Sequence, residues 1–286
     1  LNIEGKAKIL KKYEQQYGIS FFITTGNHDP VAPYNTSGGK PDFLGKNGKE
    51  QAIFSNVLSL PLEERSDVLL EPKLEKAGYK FILHSLSEFG FFPKQKYSYW
   101  ETPFSSYSYQ DYSFRKAEKE ATLANRTYAI NDSLEIPDAS YLVEPVKGLW
   151  LLAIDGNSYL PKKNGGFSSA SIGYNQTVDH KKHLFSWIKK VAQNAQKLNK
   201  KLIAFSHYPA VDFNDDASPQ LKIFLGEKKW QLERVPKERI AKILIEAGIK
   251  LRFAGHMHIN DTGKRDYKNG HFLVNIQTPS LAAYIP

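Results

Sequence analysis

At 286 residues and 41% hydrophobic composition, the chain can bury a sizeable core as a single large α/β domain, which argues against intrinsic disorder. The absence of cysteine excludes disulfides, thiolate ligands and a cysteine nucleophile, leaving His, Asp, Asn and Glu as metal ligands. A net charge of +9, from 39 Lys and Arg against 30 Asp and Glu, favours anions such as phosphates, nucleic acid or acidic lipid surfaces. Much of that excess, including Lys181, Lys182, Lys189, Lys190 and Lys197, is expected on solvated helix faces.

Residues 6–17 place Ile9, Leu10, Tyr13 and Tyr17 on one face, which predicts a helix closed by Gly18. Residues 19–25 form a nearly continuous apolar run, read as a buried strand covered on both faces and ending at Gly26-Asn27-His28-Asp29-Pro30. The Pro-, Gly-, Asn- and Ser-rich stretch 31–48 reads as a long loop, after which two helices are expected, the second over 71–89. Within the single domain 1–286, residues 93–139 read as a Tyr-rich insertion or lid with a short helix at 114–125. Its aromatics either stack on bases or sugars or pack on their own domain.

Regular alternation follows. Residues 148–154 predict an apolar strand ending in Asp155-Gly156-Asn157, and 177–198 a helix with Leu184, Ile188, Val191, Ala195 and Leu198 at helical spacing. A strand at 202–205 ends at Ser206-His207-Tyr208-Pro209. Pro236 then opens a helix carrying Ile240, Ile243, Leu244 and Ala247, and Gly248 closes it. A strand at 249–254 runs into Gly255-His256-Met257-His258, and Asn269-Gly270 marks a β-hairpin. No run of about 20 apolar residues occurs, so no membrane span is expected.

Four of the expected strands thus end in groups able to bind metal or phosphate: Asn27 and His28, Asp155 and Asn157, His207, and His256 with His258. Functional groups gather at the carboxyl ends of strands in α/β sheets, so the pattern predicts one site. His84 is read as a helix-surface or interhelix residue, His180 and His183 as solvated, and His271 as structural.

Gly26-Asn27-His28-Asp29, His207 after its strand, and Gly255-His256-Met257-His258 resemble the third, fourth and fifth motifs of the calcineurin-like metallophosphoesterase family. The 148–157 and 204–209 segments are similar to further family strands. The resemblance implies two mixed β-sheets packed as a sandwich flanked by helices, and two metal ions (Mn, Fe or Zn) sharing a bridging hydroxide that attacks phosphorus in a phosphomonoester or phosphodiester. It further implies that Asn27, His207 and His256 hold one metal and that His258 helps hold the other. His28 would contact the phosphoryl oxygen or protonate the leaving group. Asp29, Asp155, Asn157 and Tyr208 are left with supporting or substrate-contacting roles.

Two family motifs, an Asp-x-His on the first strand and a Gly-Asp-x-x-Asp-like segment on the second, do not occur. The only Met is Met257, so the chain is read as an incomplete product whose missing N-terminal segment carries the first strands of the sheet and the remaining ligands and could stay bound as a partner. Two rivals remain in view: a non-catalytic phosphate-binding or scaffold protein with an incomplete metal site, and a nuclease of the same family, which would need a continuous basic groove. Absent cysteine and the sequon at Asn125 are compatible with an exported bacterial protein.

Overall fold

The computed structural model describes residues 2–58, 60–163 and 165–280. From the N-terminus these form α1 (Asn2–Tyr17), β1 (Gly39–Leu44), β2 (Glu50–Phe54), β3 (Leu69–Leu70), α2 (Tyr79–Ser85), β4 (Tyr99–Glu101) and α3 (Phe114–Glu120). The middle of the chain contributes β5 (Thr127–Asn131), β6 (Leu134–Pro137), β7 (Tyr141–Val146), β8 (Leu149–Ile154), α4 (Tyr174–His180) and α5 (Lys182–Lys197). The last third adds β9 (Lys201–Ser206), α6 (Ser218–Leu225), α7 (Glu238–Ala247), β10 (Leu251–Ala254), β11 (Asp261–Asp266) and β12 (Phe272–Gln277).

The protein is α/β, with mixed sheets and helices. A seven-stranded sheet runs in the order β11-β12-β10-β9-β8-β7-β4. Its centre, β8, β9, β10 and β12, is parallel, while β11, β7 and β4 join antiparallel. Parallel neighbours need crossovers, and helices supply them: α4 and α5 between β8 and β9, α6 and α7 between β9 and β10. The apolar stripe of α5 is buried as its spacing predicts, with Leu184, Ile188 and Val191 fully covered, and α5 packs against α7 and β9. A smaller sheet, β1-β2-β3, and the β5-β6 hairpin lie outside this frame. The expected C-terminal hairpin forms from β11 and β12, with Asn269 and Gly270 both at positive φ in the turn. Among the described residues no helix is long and apolar enough to cross a membrane.

Several sequence expectations are corrected. Residues 19–25 form no regular element and join no sheet among the described residues, and only Thr25 of the run is buried. The segment is held by isolated bonds: Ile23 N donates to Phe89 O (3.1 Å), Tyr141 Oη to Ile23 O (2.8 Å) and Thr24 Oγ1 to Ile154 O (3.2 Å). An apolar run predicts extension, but a strand also needs a neighbour offering a ladder of backbone groups. The loop read at 31–48 contains β1. The first of the two helices expected next is replaced by β2 and a single turn at Leu62–Glu64, and the second shrinks to α2, preceded by β3 and a turn at Pro72–Leu74. Tertiary pairing there overrides helix propensity.

The Tyr-rich stretch packs on its own domain. Its strand β4 pairs with β7 at the sheet edge, Tyr99 stacks on Trp150 (ring centroids 5.7 Å apart), and Tyr97, Trp100 and Tyr107 are buried. The helix expected over 177–198 is broken at Lys181, which separates α4 from α5 with φ −113° and ψ 56°. Lys181 is not on a solvated face: its side chain is wholly buried, 3.1 Å from Asp138 Oδ2 and 3.2 Å from Asp155 Oδ2. His183 is likewise not simply solvated, since its Nε2 lies 3.0 Å from Asp138 Oδ2 and its ring packs on Tyr128 and Phe104. Helical periodicity places a residue on a face but does not reveal a carboxylate arriving from another strand.

Candidate functional site

Because β8, β9 and β10 are adjacent and parallel, their carboxyl ends lie side by side, delivering Asp155, His207 and His256 to the same rim of the sheet. The Gly26-Asn27-His28-Asp29 turn reaches that rim from the segment that follows α1 and is closed by the Asp29 N–H donating to Gly26 O at 3.1 Å. Its position is fixed by groups at the end of β8. Thr25 Oγ1 donates to Asp155 Oδ1 (2.9 Å), and Asn157 Nδ2 donates to Gly26 O (3.0 Å).

Three side chains meet there. Asn27 Oδ1 lies 2.7 Å from His207 Nε2, and His256 Nδ1 lies 3.0 Å from the same nitrogen. The other nitrogen of His256, Nε2, is 3.1 Å from the Ser171 carbonyl, to which it can only donate. His256 Nδ1 is therefore an acceptor in the neutral ring, and with Asn27 Oδ1 it leaves two acceptors sharing at most one His207 proton. Such a convergence of lone pairs on one point is what a cation would satisfy.

Burial, with added repulsion from His256, His28, His258 and Arg234, pushes His207 down to about 3. Burial and the Arg234 charge push His256 down to about 4, against the Ser171 carbonyl, which acts to raise it. Both imidazoles are thus neutral near neutral pH, the form that donates a lone pair to a metal. Among the described residues no group of three or more His, Cys, Asp or Glu is placed to hold a metal, so the convergence depends on the Asn27 amide.

The Gly255-His256-Met257-His258 turn sets its two imidazoles by backbone strain. His256 (φ 74°) and His258 (φ 58°) are both left-handed, and Met257 N–H folds back onto Gly255 O at 2.9 Å. Non-glycine residues in this region cost of order 1–3 kcal/mol each and persist where surrounding packing over-determines them. Met257 supplies such packing by lying against a small cluster of Phe213, Leu232 and Val235. Gly26 lies close to His207: a Cβ there would meet the His207 ring at 3.0 Å, so the ring would have to give by a few tenths of an ångström.

The remaining expected site residues divide by exposure. His28 and His258 are exposed beside the cluster, while Asp29 is half-buried and lines a cavity of about 150 Å³ beneath α1. Asp155 and Asn157 are fully buried and their bonding is taken up by protein: Asp155 accepts from Thr25, Tyr79, Ala139 and Lys181, and Asn157 accepts from Tyr208 Oη at 2.5 Å. Both act as braces between the two turns that carry Asn27 and His207. Tyr208 is buried, with its ring 5.0 Å from that of His207 and 4.9 Å from that of His256.

Sequence reasoning passed over three contributors. Arg252, buried on β10, donates to Tyr208 O (2.7 Å) and to Ser206 Oγ (2.5 Å), clamping the end of β9 beneath His207. Ser171 orients His256. Arg234 places a cation where it depresses both buried histidines, and its Nε is buried without a hydrogen-bond partner. Arg234 lies in an aperiodic connection, and only a charged residue interrupting the run between two buried apolar residues, Leu232 and Val235, could have drawn attention to it. No protein family model matches the chain, and no curated protein matches it.

Proposed function

We propose that this chain is a metal-dependent phosphohydrolase of the calcineurin-like kind, cleaving phosphomonoester or phosphodiester bonds. The observation that carries this reading is the meeting of Asn27 Oδ1, at 2.7 Å, and His256 Nδ1, at 3.0 Å, on His207 Nε2. A donor set of one amide oxygen and two neutral imidazoles fits Mn, Fe or Zn. Asn27, His207 and His256 would hold one metal, with His258 contributing to a second. A metal pair supplies an activated water and neutralises charge on phosphoryl oxygens. His28, exposed at the rim, would contact a phosphoryl oxygen or protonate a leaving group. Arg234 offers an oxyanion a guanidinium already short of one partner.

On this reading the seven-stranded sheet is half of a two-sheet sandwich. A second reading draws on the ligand count: with His258 the one assigned ligand of the second metal, the chain binds phosphate without hydrolysing it.

Turnover of an aryl monophosphate and a bis-aryl phosphate, with Mn, Fe or Zn added, separates these. Hydrolysis that falls by about a hundredfold or more in both His207→Ala and His256→Ala is expected, in line with the loss seen when a ligand or its support is removed. Full activity in both variants would falsify the site assignment. Phosphate binding without turnover at any metal favours the second reading.

A further inference from the structure

Among the described residues, the most exposed large apolar side chains of the last third of the chain lie together in sequence: Ile223 at 84%, Phe224 at 86% and Trp230 at 76% exposure. They occupy the end of α6 and the turn after it. This tip is held rigidly. Leu221 on α6 and Leu232 just past the turn pack into the Phe213, Val235 and Met257 cluster, and Gly226 N–H and Leu232 N–H close tight turns onto Lys222 O (2.9 Å) and Lys229 O (3.0 Å).

Trp230 and Gln231 both sit at positive φ, 50° and 59°. Two successive left-handed non-glycine residues are a strained solution, and here they turn a tryptophan outward while Leu232 turns in. The contrast within the chain is direct, because its other tryptophans, Trp100, Trp150 and Trp187, are 0%, 1% and 5% exposed. Cations flank the apolar tip in sequence. Between residues 218 and 237 stand five of them (Lys222, Lys228, Lys229, Arg234 and Lys237) against two acids, Glu227 and Glu233, on a chain of net charge +9.

We infer that the tip formed by Ile223, Phe224 and Trp230 inserts into the headgroup region of an anionic lipid bilayer. Apolar side chains standing this far from the surface fit a soft, deformable medium better than a preformed protein pocket. An aromatic and aliphatic wedge flanked by lysines also matches the interfacial pattern, in which the apolar residues enter the acyl boundary and the lysines stay at the negatively charged headgroups. The contact is peripheral and does not depend on metal in the histidine cluster, although Met257 couples the same small core to the His256 turn.

The full chain should float with phosphatidylcholine vesicles containing phosphatidylserine, and much less with phosphatidylcholine alone, with binding that weakens as salt is raised. Since Trp230 is the exposed tryptophan, its fluorescence should shift to the blue and be quenched by acyl-brominated lipid, and Trp230→Phe should abolish the quenching while flotation persists. Phe224→Ser and Ile223→Ser should each weaken binding by about tenfold, and Lys228→Glu with Lys229→Glu should remove the preference for anionic lipid. These sites are solvent-exposed, so an unchanged near-ultraviolet circular dichroism spectrum verifies folding. No flotation, or flotation without Trp230 quenching, overturns the inference. So does lipid-free self-association abolished by Phe224→Ser, which would give the patch to a second copy of the chain.

Discussion

His207 and His256 gain their character from where they are buried rather than from what they are. Each has a folded-state value, about 3 and about 4, below the ordinary 6.5. The unfolded chain therefore binds more protons than the folded one across that interval, and stability falls as pH drops from about 6.5 toward about 4. Each histidine adds a slope of up to about 1.4 kcal/mol per pH unit there. Urea unfolding with a chelator present, repeated at several pH values, should give a ΔG that declines through this window. The decline should be shallower in His207→Asn and His256→Asn. A flat profile in the parent protein would mean that neither ring is held neutral by burial.

Between elements, the decisive joint is the break separating α4 from α5. Lys181 turns inward there and joins β8, through Asp155, to Asp138 at the end of the β5-β6 hairpin. Burial acts to raise Asp138, but the Lys181 ammonium and His183 outweigh it and hold the carboxyl well below the usual range. Lys181→Met leaves two carboxylates buried without their cation, and such a change costs about 3–5 kcal/mol. The denaturation midpoint should drop accordingly. If the proposed hydrolysis holds, turnover should weaken as well, since Asp155 holds Thr25 and thereby the Asn27 turn.

Gly173 caps the start of α4 at φ 59°, and a Cβ there would lie 2.4 Å from the Tyr208 ring. Gly173→Ala should lower stability by more than about 1 kcal/mol, because both the backbone and the space forbid it. It should also reduce metal affinity, as the buried Tyr208 ring cannot shift without moving His207 beside it. Metal binding followed by isothermal titration, with the thermal midpoint as companion, distinguishes this from loss of stability alone.

For the whole molecule, ligand binding and folding are linked. A metal that needs Asn27, His207 and His256 together binds only the folded state, because these residues come from segments about 180 and 49 positions apart. At about a hundred times its dissociation constant such an ion adds about 2.7 kcal/mol. Thermal unfolding with Mn, Fe or Zn titrated in should show this rise in the parent protein and not in His207→Ala. An equal rise in both would place the metal elsewhere.

Much of this frame was legible in the sequence. The apolar stripes of α5 and α7, the strands β8, β9 and β10 and the terminal hairpin are written in local periodicity, and a few residues suffice to read each one. So are the polar groups that follow the strands, since a strand end is where an apolar run meets Asp155, His207 or His256. What the sequence could not supply was company. Whether residues 19–25 join a sheet, whether Lys181 faces water or two carboxylates, and whether Arg234 stands near a histidine all depend on segments far away in the chain. Strand order and long-range packing decided those points, because desolvation and hydrogen-bond partners exist only once distant segments have met.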